Sequence, residues 1–240
     1  MAEPGITLAL IPARGGSKRV PGKNLADCAG KPLIRWTLDA ALGAQSIDRI
    51  LVSTDSEEIA DIARFAGIEV PFLRPASLSG DDVPMIDVMQ HALAWASESE
   101  GLTVKTLVLL QPTSPLRTVT HIDEAMALME TTDADTVVSV SELSHIEHPA
   151  VTHRIEDRLL HPFLGRDASV DANRKAYFRN GPAILANRRH VIDAGEKFGD
   201  RMAGYIMSRS DSVDIDEPFD LKLASMLLVE RELQEGGGRS

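Results

Sequence analysis

The segment LALIPARGGSKRVPGKN, from Leu8 to Asn24, places glycines and cations directly after a short apolar run. Glycines let the backbone approach a phosphate closely and present its N–H groups. Arg14 can grip phosphate oxygens through two parallel bonds, and Lys18 and Lys23 supply mobile point charges. The segment therefore predicts a nucleoside-triphosphate site at the end of the first strand, where open α/β sheets bind nucleotides.

A tight turn with solvated charges is the alternative interpretation of this string. The segment matches neither the GxxxxGK[ST] phosphate loop nor the GxGxxG dinucleotide motif. Residue types alone favour the phosphate interpretation without settling it.

A pair of carboxylates, Asp214 and Asp216, lies near the carboxyl end of the chain. In an extended chain, residues two apart point to the same face, and two converging carboxylates repel each other unless a cation lies between them. Magnesium, a hard cation with oxygen ligands, suits such a pair when it also meets substrate phosphates. The alternative is a solvated acidic turn that caps the helix beginning at Pro218; a phosphate loop elsewhere in the chain favours the metal site.

The run LLQPTSPLR, Leu109 to Arg117, follows another apolar strand and is stiffened by two prolines. Gln111 offers both a donor and an acceptor, which suits the reading of sugar hydroxyls. Arg117 either holds a phosphate or anchors the loop, and a rigid turn before a helix remains an alternative for the whole run.

Other candidate residues have both a functional and a structural interpretation. Asp55 could contact a ribose, a metal or a loop, but we interpret it as a cap of the helix near Ser56. Arg74 lies on a proline-stiffened loop and is either a phosphate ligand or a surface arginine. Arg174 and Arg179 could flank a carboxylate ligand.

Composition limits the classes of function. The chain has 240 residues, 43% hydrophobic content and a net charge of -11, which argues against a nucleic-acid partner. A local cationic pocket in an acidic protein suits a small anionic ligand. No apolar run approaches transmembrane length, no secretory signal is recognisable, and the single cysteine excludes an intrachain disulfide. We expect a cytoplasmic protein with no membrane partner.

Short apolar runs alternate with helix-forming segments. This order predicts an α/β fold with a doubly wound, mostly parallel, Rossmann-like sheet. The predicted strands are Ile6–Ile11, Arg49–Ser53, Thr106–Leu110, Thr136–Val140, Ala183–Ala186 and Ala203–Met207. The predicted helices are Leu33–Ala44, Ser56–Ala66, Met85–Ser97, His121–Glu130 and Pro218–Gln234. The polar stretch 141–179 breaks the alternation and predicts an excursion from the sheet, either a small subdomain or a dimer arm.

Taken together, these motifs resemble the acylneuraminate cytidylyltransferases, whose nucleotide-diphospho-sugar transferase-like fold the resemblance implies. The resemblance spans roughly residues 6 to 230 in the expected order. The strings that carry it are IPARGGSK, VSTD, LRP at Leu73–Pro75, LLQPTSPLR, Asn180-Gly181 and YIMSRSDSVDID. The related 3-deoxy-manno-octulosonate cytidylyltransferases share the first loop but not LLQPTSPLR.

The resemblance implies transfer of CMP from CTP to the anomeric hydroxyl of a nine-carbon nonulosonic acid, with release of pyrophosphate. It implies that Lys23, Asp214 and Asp216 are catalytic, that the two aspartates hold Mg²⁺, and that Gln111, Arg174 and Arg179 bind the sugar acid. The implied nucleotide-binding residues are Arg14, Gly15, Gly16, Ser17, Lys23, Asn24 and Arg74. It also implies one cytidylyltransferase domain over 1–240, whose excursion at 141–179 covers substrate and forms a homodimer, or a dimer of dimers.

Departures from the family pattern concern sugar recognition. Ala150 and Val151 follow a His-Pro pair where the family often has a lysine, and Pro182 stands where alanine is common. The hydroxyl-rich segment after LRP is replaced by Asp81–Met85. The competing functions are 3-deoxy-manno-octulosonate cytidylyl transfer, nucleotidyl transfer from UTP or ATP, and a nucleotide-binding module without catalysis, which would not need the aspartate pair.

Overall fold

A computed structural model describes residues 5–164 and 175–237, and the side chains of 235–237 lie outside that description. The described strands are β1 Ile6–Pro12, β2 Asp27–Cys28, β3 Lys31–Pro32, β4 Arg49–Ser53, β5 Val104–Leu109, β6 Thr136–Glu142, β7 His153–Glu156, β8 Leu159–Pro162, β9 Tyr177–Arg179, β10 Leu185–Arg188 and β11 Met202–Ile206. The described helices are α1 Leu33–Gly43, α2 Glu57–Phe65, α3 Met85–Glu98, α4 Val119–Thr132, α5 Arg189–Asp193 and α6 Pro218–Gly237.

The central sheet has the strand order β11-β6-β10-β5-β1-β4, and β9 pairs with β6 outside this path. Strand β1 shows why the sheet is covered on both faces. Its Ala9 and Ile11 pack into one hydrophobic core, and its Leu8 and Leu10 pack into another. A continuous apolar strand of this kind is typical of a parallel sheet buried on both sides.

Helices complete the two layers. Apolar residues of α1, α2 and α4 pack on the face of Ala9 and Ile11. Those of α3 and α5 pack on the opposite face. Helix α6 packs with Cys28 of β2 and Leu116 in a third, smaller cluster. The predicted doubly wound α/β fold is confirmed, and all five predicted helices are present; the short α5 was not predicted.

One strand departs from the predicted parallel arrangement. The predicted strand Ala183–Ala186 is shifted to Leu185–Arg188, and this strand, β10, runs antiparallel between β5 and β6. An antiparallel neighbour needs no helical crossover. The chain instead leaves β6, forms the β7–β8 hairpin in the expected excursion, and returns through β9.

The remaining main strands share one direction. Strands β4 and β5 are parallel to β1, and β11 is parallel to β6. Since β10 is antiparallel to both β5 and β6, those two strands are also parallel to each other. The carboxyl ends of β1, β4, β5 and β6 therefore meet along one edge of the sheet. Within the described residues, none of the helices combines the length and the apolar character needed to span a membrane.

Candidate functional site

A cavity of about 210 Å³ opens at the carboxyl edge of β1 and β5. It brings together residues of the first loop and of the LLQPTSPLR run, which are far apart in the chain. The cavity is lined by Pro12, Arg14, Ser17, Lys23, Asn24, Arg74, Met85, Gln111, Pro112 and Thr113. Every predicted nucleotide-binding residue other than the two glycines therefore lines this cavity, together with Gln111.

Backbone hydrogen bonds hold the first loop against the end of β4. Ala13 N donates to Ser53 O at 2.9 Å, and Gly15 N donates to Asp55 Oδ1 at 2.8 Å. A Cβ on Gly15 would lie 3.2 Å from the Cβ of Ser56, so the close approach favours glycine there. On the opposite side of the loop, Asn24 Nδ2 donates to Arg14 O at 2.9 Å.

The interpretation of Asp55 as a helix cap is wrong. The N-cap of α2 is Ser56, whose side chain accepts from Ile59 N. Asp55 instead fixes the glycine loop through its hydrogen bond from Gly15. Sequence spacing could not separate the two roles, because the loop is 40 residues away from Asp55.

Asp81 neutralises two cations of the first loop. Its carboxylate forms an ion pair with Arg14 Nη1 at 2.6 Å and a second ion pair with Lys18. Hydrogen bonds from Lys18 and Arg14 lower the pKa of Asp81, so it is ionised at neutral pH. The Asp81 carboxylate is therefore paired with the same two cations that the sequence predicts to bind phosphate oxygens.

Lys23 lies between the first loop and the predicted metal-binding segment. Its ammonium donates to Ile215 O and lies 3.9 Å from Asp216 Oδ1. Burial lowers the pKa of Lys23, whereas the charges of Asp216 and Asp214 raise it. Both aspartates thus act on the same lysine, while Arg19 pairs with Asp216 at 3.0 Å.

Asp214 is the less exposed member of the aspartate pair and has an unpartnered oxygen. Its Oδ1 is buried without a hydrogen-bond partner, as are the neighbouring hydroxyls of Thr113 and Ser114. Burial raises the pKa of Asp214, the Asp216 carboxylate acts in the same direction, and nearby Thr113 and Lys23 oppose the rise. A buried carboxylate oxygen that lacks a donor is suited to a cation ligand.

The donor set can supply part of a magnesium site. Among residues 5–164 and 175–237, no group of three or more His, Cys, Asp or Glu side chains is arranged to hold a metal. Mg²⁺ commonly uses one or two carboxylates together with substrate phosphates and water. The Asp214 and Asp216 pair matches that pattern, and Asp214 Oδ1 is the atom that needs a partner.

Asn180 and Gly181 support Asp214, which the sequence did not reveal. A Cβ on Gly181, whose φ is +108°, would lie 3.1 Å from Asp214 Oδ1. Asn180 is buried, accepts from Ser139 Oγ at 2.6 Å and donates to Ser212 Oγ at 2.9 Å. These bonds connect β6 to the aspartate segment; the Asn-Gly pair indicated only a turn.

Arg74 is a buried cation in the cavity wall. It is 6% exposed, and its Nε has no hydrogen-bond partner among the described residues. Its backbone N donates to Thr54 O at 2.7 Å, which ties it to the end of β4. Burial lowers the pKa of Arg74, and the nearby Asp55 carboxylate opposes that effect.

Arg117 anchors the LLQPTSPLR loop rather than holding a phosphate. The guanidinium is buried and donates to Ala183 O at 2.7 Å, to Gln111 O at 3.1 Å and to Thr37 Oγ1 at 2.6 Å. Burial lowers the pKa of Arg117 to about 9, so the side chain is still charged at neutral pH. Gln111 is therefore fixed at the cavity through its own carbonyl.

Of the two predicted carboxylate-binding arginines, the structure describes only Arg179. Arg179 is exposed on β9, opposite Val140 of β6, and its Cζ lies 4.6 Å from the ring centroid of Phe198. It does not line the 210 Å³ cavity. Arg174 lies outside the described residues.

Comparison with known proteins places these features in a family. A family model described as Cytidylyltransferase matches residues 8–234. A CMP-N,N'-diacetyllegionaminic acid synthase from Legionella pneumophila is 36% identical over 92% of this chain and 95% of its own length. An N-acylneuraminate cytidylyltransferase from Escherichia coli O18:K1:H7 is 34% identical over 95% of this chain and 53% of its own. The chain thus spans about half the length of this relative and nearly all of the Legionella protein.

A solved structure supports the same fold at lower identity. A CMP:2-keto-3-deoxy-manno-octonic acid synthetase complexed with CTP superposes with a TM-score of 0.70 at 17% identity. The match covers 95% of this chain and 100% of that one. The family resemblance predicted from the motifs is confirmed, and the chain belongs to the cytidylyltransferase family.

Proposed function

We propose that this protein transfers CMP from CTP to the anomeric hydroxyl of a nonulosonic acid and releases pyrophosphate. The observation that carries the proposal is the cavity at the carboxyl edge, which is lined by Arg14, Lys23 and Arg74 together with Gln111. Three cations suit a triphosphate, and an amide among them suits an acceptor with several hydroxyls.

The first loop would hold the triphosphate. Arg14, Ser17, Lys23 and Asn24 face the cavity, and a Cβ on Gly16 would meet nothing within 4 Å. No internal packing therefore requires glycine at position 16, whereas a closely approaching phosphate would. Arg74 would complete the nucleotide site, because its unpartnered Nε can donate to an anionic ligand.

Asp214 and Asp216 would hold Mg²⁺. When bound there, Mg²⁺ would neutralise phosphate charge and lower the pKa of a bound hydroxyl. Asp214 has the free buried oxygen for this role, and Asp216 would have to exchange its contacts with Arg19 and Lys23 for the metal.

Lys23 would stabilise the charge that develops in the reaction. The sugar hydroxyl oxygen forms a bond to the α-phosphorus of CTP, the hydroxyl proton leaves, and the bond to the pyrophosphate oxygen breaks. Positioned cations provide most of the rate in such transfers. The backbone of Ile215 and the carboxylate of Asp216 hold the Lys23 ammonium before substrate arrives.

The relatives favour a nine-carbon acid over an eight-carbon one. The relatives that are 34% and 36% identical are an N-acylneuraminate cytidylyltransferase and a CMP-N,N'-diacetyllegionaminic acid synthase. The eight-carbon 2-keto-3-deoxy-manno-octonic acid synthetase shares the fold at 17% identity. We therefore place 3-deoxy-manno-octulosonate second as an acceptor. Use of CTP would place the reaction in the cytoplasm, which suits the free, buried Cys28.

A second copy of the chain would cover the β7–β8 hairpin. Ile155 is 72% exposed and Leu160 is 68% exposed, and the hairpin continues into Phe163 at 61%. A lone two-stranded hairpin is marginally stable in water, so this apolar surface needs a partner. The homodimer that we propose would use it.

Pyrophosphate release from CTP and Mg²⁺ tests the function against four acceptors: N-acetylneuraminate, legionaminate, pseudaminate and 3-deoxy-manno-octulosonate. Release with a nine-carbon acid is the expected result and identifies the sugar. Activity only with the eight-carbon acid would replace the proposed acceptor. If none of the four acids led to release, the proposed transfer would be contradicted. If CTP still bound in that case, only the nucleotide-binding part of the proposal would remain.

A further inference from the structure

Three segments that are far apart in the chain meet at a small hollow beside the Cα of Gly181. A Cβ built on Gly181 would lie 3.1 Å from Asp214 Oδ1 and 3.2 Å from Ser114 Oγ. Two oxygen atoms, one from the aspartate segment and one from the LLQPTSPLR loop, therefore face the same point. Because position 181 is glycine, with a φ of +108°, that point stays open.

Both oxygen atoms are buried and lack hydrogen bonds. Ser114 is 1% exposed, and neither its Oγ nor Asp214 Oδ1 has a hydrogen-bond partner among the described residues. The two atoms do not bond to each other, although a hydroxyl can donate to a carboxylate. Buried polar atoms without partners cost free energy, and an occupant that met both atoms would remove that cost.

Backbone hydrogen bonds hold the two oxygen-bearing segments together. Ile215 N donates to Thr113 O at 2.8 Å, so the residue after Asp214 is joined to the residue before Ser114. Ser114 N donates to Gln111 O at 3.4 Å within the loop. The segments are therefore fixed relative to each other before an occupant arrives, which limits the entropy that is lost when the side chains become ordered around it.

The hollow lies next to the nucleotide cavity on both sides. Thr113, the residue before Ser114, lines that cavity, as does Lys23. The carbonyl of Ile215, the residue after Asp214, accepts a hydrogen bond from Lys23 Nζ. An ion that bound Ser114 and Asp214 would therefore be close to a triphosphate in the cavity.

The two oxygens favour a hard cation as the occupant. Mg²⁺ binds carboxylate oxygens, and in the P-loop nucleotide hydrolases it also binds a serine or threonine hydroxyl beside the phosphates. A hydroxyl keeps its proton when it binds the ion, so it adds a ligand without adding a negative charge. A buried water is the alternative occupant, because it too could bond to both atoms.

We propose that Ser114 Oγ is a further ligand of the Mg²⁺ that Asp214 and Asp216 would hold, and that Gly181 keeps the hollow open for it. The inference rests on the proposed function, since it adds a protein ligand to the cation of the same reaction. It also gives Asn180-Gly181 a role beyond a turn, because any other residue at 181 would place a Cβ against both oxygens.

Ser114→Cys exchanges a hard oxygen for a soft sulfur at the proposed ligand. The substrates are CTP and the acid of the four-acceptor panel that is turned over fastest. Because Mn²⁺ tolerates sulfur better than Mg²⁺ does, the ratio of kcat/KM with Mn²⁺ to kcat/KM with Mg²⁺ should rise at least about tenfold. Ser97→Cys, at a half-buried serine of α3, is the matched control and should leave the ratio unchanged. An unchanged ratio in Ser114→Cys would overturn the inference, because a lost water or a packing defect slows both reactions equally.

Cd²⁺ binding without substrates tests the ligand independently of turnover. A thiolate bound to this soft ion gives an ultraviolet charge-transfer band. The band should appear when Ser114→Cys is titrated with Cd²⁺. It should be absent from Ser97→Cys and from the unsubstituted protein, whose single cysteine, Cys28, is buried.

A double variant tests whether Ser114 and Asp214 hold the same ion. Adding Asp214→Asn to Ser114→Cys replaces an anionic ligand by a neutral one, so the Kd for Cd²⁺ should rise at least about tenfold. The absence of a band in Ser114→Cys, or an equal Kd in the single and double variants, would overturn the inference.

The two measurements separate this inference from the proposed reaction. Cd²⁺ binding that depends on Asp214, without pyrophosphate release by the unsubstituted protein from any of the four acids, would retain the ion site and reject the transfer. Pyrophosphate release by the unsubstituted protein, with a metal preference that does not depend on Ser114, would retain the transfer and reject the proposed ligand.

Discussion

The two sides of the proposed active site are built differently. On the nucleotide side, the first loop is bonded to β4 through Ser53 and Asp55, and Arg74 is buried in the cavity wall. On the acceptor side, Arg179 is exposed, and the hairpin beyond β6 exposes large apolar residues. The nucleotide side is thus held together by contacts within one chain, whereas the acceptor side presents surface that further molecules would cover.

This difference indicates where the sequence of a cytidylyltransferase can vary. On the nucleotide side, the first loop and Arg74 are hydrogen-bonded to the same residues at the end of β4, so few replacements would fit there. Arg179, Ile155 and Leu160 are exposed on the other side. A change of acceptor would therefore require new side chains on that surface but no change in the sheet.

Removal of the Lys23 charge should have the largest effect. Lys23→Met should lower kcat by about 10²–10³-fold, because a positioned cation would be lost from the reacting phosphates. Pyrophosphate release measures the change, and Lys222→Met, at an exposed lysine of α6, is the control. A fall in kcat smaller than about fivefold would mean that Lys23 is not part of the catalytic machinery. The nucleotide side would then not be the catalytic side of the site.

Arg117 tests how far the nucleotide side depends on internal anchoring. Lysine cannot reproduce three hydrogen bonds to Ala183, Gln111 and Thr37, so Arg117→Lys should lower the free energy of unfolding by about 2–4 kcal/mol. Urea denaturation measures it. Arg64→Lys, at an exposed ion pair with Asp61, should cost less than about 1 kcal/mol. Equal losses in both variants would show that Arg117 is not a special anchor.

The hairpin tests whether the acceptor side depends on a second copy. Leu160→Glu places a charge on the exposed apolar surface and should weaken the dimer at least about tenfold, as measured by analytical ultracentrifugation. Leu233→Glu, at a 71% exposed residue of α6, is the matched control. Equal dissociation constants for Leu160→Glu and the unsubstituted protein would exclude the hairpin as the dimer contact.

Asp81 should have the smallest effect, in the opposite direction. Its ion pairs with Arg14 and Lys18 must open before those cations can bind phosphate, so Asp81→Asn should lower the KM for CTP about two- to fivefold. Asp82→Asn is the neighbouring control. A higher KM in Asp81→Asn would mean that Asp81 orders the loop in the bound state instead of competing with CTP.

Local sequence predicted the parts of the site that depend on short segments. The first loop and the Asp214 and Asp216 pair were identified because their charges are close together in the chain. The sheet followed from apolar runs such as β1, whose residues are buried on both faces. These features could be predicted because they depend only on the residue types and the apolar pattern within a short segment.

Long-range contacts account for what the sequence did not reveal. The role of Asp55 depends on a loop 40 residues away, and Arg117 meets Ala183 across 66 residues. The antiparallel course of β10 between β5 and β6 was likewise not predicted by the alternation of strands and helices. Tertiary pairing of this kind leaves no periodic signal in the chain.

Isotope-edited ³¹P NMR tests the central claim most directly. N-acetylneuraminate, or the fastest acceptor of the panel, is labelled with ¹⁸O at the anomeric hydroxyl and incubated with CTP, Mg²⁺ and the protein. Attack of that hydroxyl on the α-phosphorus predicts a new CMP ester whose α-phosphorus shows the ¹⁸O isotope shift, with unlabelled pyrophosphate. A CMP ester without the shift, or labelled phosphate in place of the ester, would contradict cytidylyl transfer to the sugar hydroxyl.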